Sequence, residues 1–220
     1  MDNNQIEHEE CNILNKQLIW EIGFYIRNVD NELARQIIEK LAKEVSKSFY
    51  SSDTPIKKNG ERTTKLFEVL TLFGDKKGHK VYSHSLSKEF IDKSKNENGD
   101  SKFVNREWLY DLLWYREDNN EGYYPIDFPL IVESEWEKKR KEDKKGDPHS
   151  GIKYDFQKLL LSNTGLRLMI FNISEEEELN HLSEYFNNAI SKYTPLKNGE
   201  FLFVAFDDRK KSFHYYYKEK

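Results

Sequence analysis

Three runs of apolar residues limit what this chain can fold into. They are Leu130-Ile131-Val132 within FPLIVESEW (128–136), LRLMIFNI (166–173) and FLFVAF (201–206). None alternates with polar residues, as a strand with one wet face would, so each is predicted to be an internal strand covered on both sides. Between them lie helical patterns. Residues 154–162 place Phe156, Leu159 and Leu160 on one face. After a Ser174/Glu177 capping box, Leu179, Leu182, Phe186, Ala189, Ile190 and Tyr193 recur at helical spacing. With FHYYY (213–217) as a last strand, strands alternate with helices. This predicts an α/β fold, a largely parallel sheet flanked by helices.

The first half reads differently. Residues 14–48 are predicted to be helical, with Leu33, Ile37, Ile38, Leu41 and Val45 in register and Asp30 as the cap. Residues 51–64 form a polar turn, and 65–73 a short helix stopped by Gly74. Residues 75–102 are charged and poor in apolar side chains, with 92–102 an exposed loop. The chain therefore divides into an N-terminal helical region with polar loops (1–102) and an α/β core (103–220).

Composition narrows the class. Of the 220 residues, 34% are charged and 14% aromatic, with a mean hydropathy of −0.88. That aromatic content is foreign to disordered chains, so an aromatic-rich core under a charged surface is expected. The single cysteine, Cys11, allows neither an internal disulfide nor a cysteine-only zinc site. Residues 1–10 are polar and acidic, unlike a secretory signal. No apolar run approaches the ~18 residues of a membrane span. These features predict a cytoplasmic protein with no membrane partner. A net charge of −4 is not that of a nucleic-acid coat protein, but a local basic run exists at Lys138, Lys139, Arg140, Lys141, Lys144 and Lys145. It is either a solvated loop or a phosphate-contacting one. The aromatic run Tyr215-Tyr216-Tyr217 packs a sheet or, less in keeping with its setting, stacks bases.

Chemistry concentrates in three segments. Glu133 and Glu135 are two apart on a predicted strand, so they share a face, with Ile131 behind them. Two carboxylates at the end of an apolar strand call for a positive partner, and a divalent cation supplies one. The alternative is that both lie just past the strand end, in water. Asp111 sits in WLYDLLWY (108–115), which periodicity allows as strand or helix. As a strand it puts Asp111 on a face with Leu109 and Leu113. As a helix it leaves a surface aspartate. Asp155, Lys158 and Ser162 share a helix face, from which Lys158 reaches the strand-end carboxylates or makes a surface ion pair. The six histidines show no metal-ligand spacing, and no glycine-rich phosphate loop or nucleophile elbow is present.

These segments resemble the PD-(D/E)xK superfamily, the restriction-endonuclease-like nucleases. The residues that carry the likeness are Trp-Leu-Tyr-Asp (108–111), Val-Glu-Ser-Glu-Trp (132–136), Asp-Phe-Gln-Lys-Leu (155–159) and Leu-Arg-Leu-Met-Ile-Phe (166–171). The family places an acid on one strand, then an acid and a lysine two apart on the next, then a helix and a strand. Asp111 matches the first acid and Glu133 the second. Glu135 stands where lysine is usual, and Tyr110 stands where proline is. Some relatives carry the lysine on the following helix, where Lys158 falls. The resemblance covers about residues 103–207 and favours the strand reading of 108–115. It implies a restriction-endonuclease-like mixed sheet and a nuclease acting on DNA or RNA. Asp111, Glu133 and Glu135 would hold magnesium or manganese, and Glu135 or Lys158 would orient or deprotonate water. It equally accommodates an inactive descendant serving as a binding or structural partner. Oligomeric state, homodimerisation included, is left open.

Overall fold

The three apolar runs become the inner strands of one seven-stranded sheet. In a computed structural model of the chain, the structure describes residues 20–22, 26–51, 53–106, 108–118, 124–137 and 146–220. The strands are β1 (Glu21–Ile22), β2 (Lys80–Ser83), β3 (Leu112–Glu117), β4 (Pro125–Glu135), β5 (Leu166–Ile173), β6 (Glu200–Asp207) and β7 (Ser212–Glu219). Their order across the open sheet is β1-β7-β6-β5-β4-β3-β2. Strands β4, β5 and β6 run parallel, because helices α5 (Ser150–Leu161) and α6 (Glu177–Lys192) provide the crossovers that parallel pairing requires. The remaining pairings are antiparallel. The sheet is thus mixed rather than largely parallel, because β3–β4 and β6–β7, like both edge pairings, run antiparallel.

Alternate residues face opposite layers. Leu112, Trp114, Leu130, Val132, Leu168, Ile170, Leu202 and Val204 point to one side. Covering them are α1 (Glu32–Lys40), a π-helical stretch (Leu41–Ser46), α2 (Lys47–Tyr50) and α3 (Asn59–Lys76). Leu113, Ile131, Met169, Phe171, Phe201 and Phe203 face α5 and α6. The helices of residues 32–76 therefore share a core with the sheet, and β2, from the charged stretch, is its edge strand. No described helix is long and apolar enough to cross a membrane.

Several local expectations change. Residues 14–19 and 23–25 lie outside the described residues; among the described ones, the helix predicted over 14–48 begins at Glu32. Asn31, not Asp30, caps it by accepting from Ala34 N at 2.8 Å. Helix α3 starts at Asn59 and runs through Gly74 rather than stopping there. A Cβ on Gly74 would lie 2.6 Å from the Trp114 indole, so glycine serves close packing, not helix termination. The stretch 75–102 holds, besides β2, the short helix α4 (Lys88–Lys93). The strand predicted from 108 begins at Leu112. Before it, Leu109 adopts φ 59° and the chain bends, so Leu109 is exposed and does not share a buried face with Asp111. At α6 the carboxylate of Glu178, not a Ser174/Glu177 box, accepts from Ser174 N and Glu175 N, both at 3.0 Å. Tyr215 is buried, and the Tyr216 ring packs against Phe203 at 5.9 Å, so this run packs the sheet.

Trp136 and Val132 are buried on the face away from Ile131, as strand alternation requires. The covering helices are those of the N-terminal half, on the sheet face opposite the helix that carries Leu179, Leu182 and Phe186. Trp136 packs against Phe49 and Phe206 and donates Nε1–H to Thr63 Oγ1 at 2.9 Å. The Arg62 guanidinium lies 5.9 Å from the Trp136 ring and 5.0 Å from that of Phe49. It also forms a two-pronged pair with Asp208 at 2.8 and 3.1 Å. Trp136→Ala should lower the unfolding free energy in urea by about 3–5 kcal/mol, the range for emptying a large buried aromatic site. An unchanged midpoint would show that this packing contributes nothing.

Candidate functional site

Strand β4 leaves the core with Glu133 and Glu135 on the face of Ile131 and α5, as alternation predicts. Glu133 is 0% exposed. Helix α5 buries Ile152, Phe156 and Leu159 against the sheet, which turns Asp155 and Lys158 toward the end of β4. Lys158 Nζ donates to Glu133 Oε2 at 2.7 Å and lies 3.0 Å from Asp155 Oδ1. The second oxygen, Glu133 Oε1, is buried and has no hydrogen-bond partner among the described residues.

The other two acids are held by different contacts. The Leu112↔Val132 register, carried one residue on, sets Asp111 opposite Glu133. Asp111 Oδ2 accepts from Ser134 N at 2.8 Å and from Ser134 Oγ at 3.2 Å, while His84 Nε2 lies 3.1 Å from its Oδ1. Glu135 Oε1 accepts from Glu137 N at 2.7 Å. Helix α5 starts close against this segment. A Cβ on Gly151 would sit 2.5 Å from Glu137 O and 3.2 Å from Glu135 Oε2, so only glycine admits the approach.

Electrostatics mark the cluster. Burial, then the charge of Asp111, pushes the Glu133 carboxyl up to about 9 against the opposing pull of Lys158. Burial also raises Glu135, to about 7, with Asp155 and Asp111 adding to it and the Glu137 N–H opposing it. Asp155 is raised by burial as well. Burial disfavours the charge on Lys158, but its contacts with Glu133 and Asp155 outweigh this and hold it above its usual value. Tyr110 is raised by burial and by Glu133. Perturbed groups gathered in this way are characteristic of working sites.

Asp111, Glu133, Glu135 and Lys158 therefore occupy one neighbourhood. Their contacts differ from a shared three-acid ligand set. Among the described residues, the set of three whose ligand atoms all lie within 4.8 Å of one another is Asp147, His149 and His181. Asp111 is drawn toward Ser134 and His84, and Glu135 toward the Glu137 backbone, so the three acids are not gathered that tightly. Sequence reasoning missed His84 and Ser134, which touch Asp111 only through tertiary folding. The i, i+3 spacing of Asp155 and Lys158 did signal their pairing. The basic run at residues 138–145 lies outside the described residues.

The raised pKa of Glu133 fixes the sign of a pH effect. Below about 4.5 the group is protonated in both folded and unfolded chains. As pH rises toward about 9, the unfolded chain ionises while the folded chain resists, so stability falls across that window. In metal-free buffer, Glu133→Gln should gain on wild type by ~1 kcal/mol or more between about pH 5 and about pH 8. Parallel denaturant melts measure this, and a constant difference would show that Glu133 is not held neutral by burial.

Compared with known protein families, curated proteins and solved structures, the chain matches none.

Proposed function

We propose that this chain is a magnesium- or manganese-dependent nuclease of the restriction-endonuclease-like kind, cleaving phosphodiester bonds in DNA or RNA. The observation that carries the reading is the helix-borne Lys158 on the fully buried Glu133, whose other oxygen has no hydrogen-bond partner among the described residues. An acid before β3, an acid on β4, a helix and then β5 follow the order the sequence resemblance implies; Glu135 stands where its lysine is usual, and Lys158 lies on the following helix, where some relatives carry theirs. The donors are carboxylate oxygens, which suit a hard divalent ion, and the orphaned Glu133 Oε1 is the atom most in need of one. Such an ion, when bound, acidifies a coordinated water and offsets charge on the scissile phosphate.

The chain's own residues then divide the work. Glu133 and Asp111 supply ligand oxygens. Glu135, held near 7 by burial, accepts a proton from water at neutral pH. Lys158 keeps its charge and places it beside Glu133, where it counters the negative charge that grows in phosphoryl transfer. The second reading is a non-catalytic relative that binds or scaffolds a partner. It is favoured by the backbone hydrogen bonds that already satisfy Asp111 and Glu135.

Digestion of mixed single- and double-stranded DNA and RNA should proceed with magnesium or manganese and stop with a chelator. Glu133→Gln and Lys158→Met should each reduce cleavage by at least ~100-fold while remaining folded. Absence of metal-dependent cleavage, together with no magnesium-induced thermal shift, would establish the non-catalytic reading.

A further inference from the structure

A second cluster lies at the start of α5, where no local spacing announces a metal site. Asp147 precedes the helix, His149 is its N-cap and His181 comes from α6. One ligand atom from each lies within 4.8 Å of the others. His149 is 6% exposed, and its Nδ1 is buried with no hydrogen-bond partner among the described residues. Its Nε2 lies 3.0 Å from Glu178 Oε2. A carboxylate can only accept, so this contact places the proton on Nε2 and leaves the lone pair of the neutral ring on Nδ1. That carboxylate–histidine arrangement commonly orients a metal-binding imidazole.

The centre of the cluster already attracts a cation. Lys153 Nζ donates to Asp147 Oδ2 at 2.6 Å and to His181 Nε2 at 3.2 Å. An ammonium has no lone pair to offer, so His181 Nε2 is the acceptor and carries one. Asp147 Oδ1 meanwhile accepts from His149 N at 2.9 Å. The lysine leaves His149 Nδ1 unsatisfied, whereas a metal ion takes lone pairs from both rings and the carboxylate together.

We propose that Asp147, His149 and His181 form a binding site for a zinc-class divalent cation, which displaces the ammonium of Lys153. Two imidazoles and one carboxylate select zinc, cobalt or nickel over magnesium or calcium. Three protein ligands leave a fourth position to solvent. Bound there, the ion clips the start of α5 to α6. The proposal is independent of the strand-end carboxylates: Lys158, which serves Glu133, is five residues beyond Lys153 on α5.

Cobalt(II) titration of the metal-free full chain tests it, with the visible absorption band reporting coordination and zinc as competitor. With excess magnesium present to occupy any hard-ion site at the strand-end carboxylates, one equivalent should bind wild type and be displaced by zinc. His149→Ala and His181→Ala should each weaken binding at least ~10-fold, and Glu178→Gln about 10–100-fold. Lys153→Met should tighten binding, because it removes the competing cation. Should His149→Ala not fold, the exposed His181 gives the same answer. The site is refuted if metal-free wild type takes up no cobalt, if binding survives both histidine substitutions, or if Lys153→Met weakens it.

Discussion

A carboxylate buried at the end of an inner strand constrains much of this structure. Burial opposes ionisation of Glu133, so any negative charge it carries depends on a partner delivered with accuracy. Lys158 is that partner, and its position depends on how α5 is fixed. At the N-terminal end, Gly151 lets the helix meet the β4 backbone closely. At the C-terminal end, the buried Arg167 of β5 donates to Leu159 O at 3.1 Å and Ser162 O at 2.6 Å, satisfying carbonyls that a helix end leaves unpaired. Arg167 faces the helix because it pairs with Ile131, two residues before Glu133. The register that aligns β4 with β5 therefore also sets where Lys158 meets its acid.

The opposite face supports the same strand. Trp136 anchors the end of β4 among Phe49, Phe206 and Thr63, which fixes the pleat and turns Glu135 toward α5. Arg62 joins that aromatic group to Asp208 in the β6–β7 turn, where Asp207 Oδ1 accepts from Arg209 N and Lys210 N. The N-terminal helices are thus more than a cover. They hold the strand end whose other side carries the acids.

What the sequence disclosed follows from where each signal resides. The inner strands were legible because burial on both faces leaves an unbroken apolar run. The common face of Glu133 and Glu135 was legible because strand alternation depends on backbone geometry alone. Lys158 was legible as a candidate through its helical spacing from Asp155, although only tertiary structure chooses Glu133 over water. Boundaries were less visible. Asn31 and Asp30 are both good caps, and only the hydrogen bond to Ala34 N separates them. The bend before β3 rests on Leu109 at positive φ, a conformation its residue type does not announce. Edge strand β2 is four residues long and too short for a period to register. His149 and His181 belong to different elements and meet only because α5 and α6 pack on one face, so no local spacing could pair them.

Two clusters on one helix share a physical device. In each, a lysine of α5 satisfies acceptors that folding has brought together: Lys158 at Glu133 and Asp155, Lys153 at Asp147 and His181. In each, one buried atom has no hydrogen-bond partner among the described residues, Glu133 Oε1 in the first and His149 Nδ1 in the second. A tethered ammonium carries one charge and donates along three directions, so it neutralises such a cluster without filling it. The residual demand differs in kind. Carboxylate oxygen favours a hard, water-retaining ion, whereas imidazole nitrogen favours a softer one that accepts fewer ligands. If both proposed sites take ions, the donor chemistry would keep two ion classes apart along a single helix, and without ions the lysines supply positive charge to each cluster.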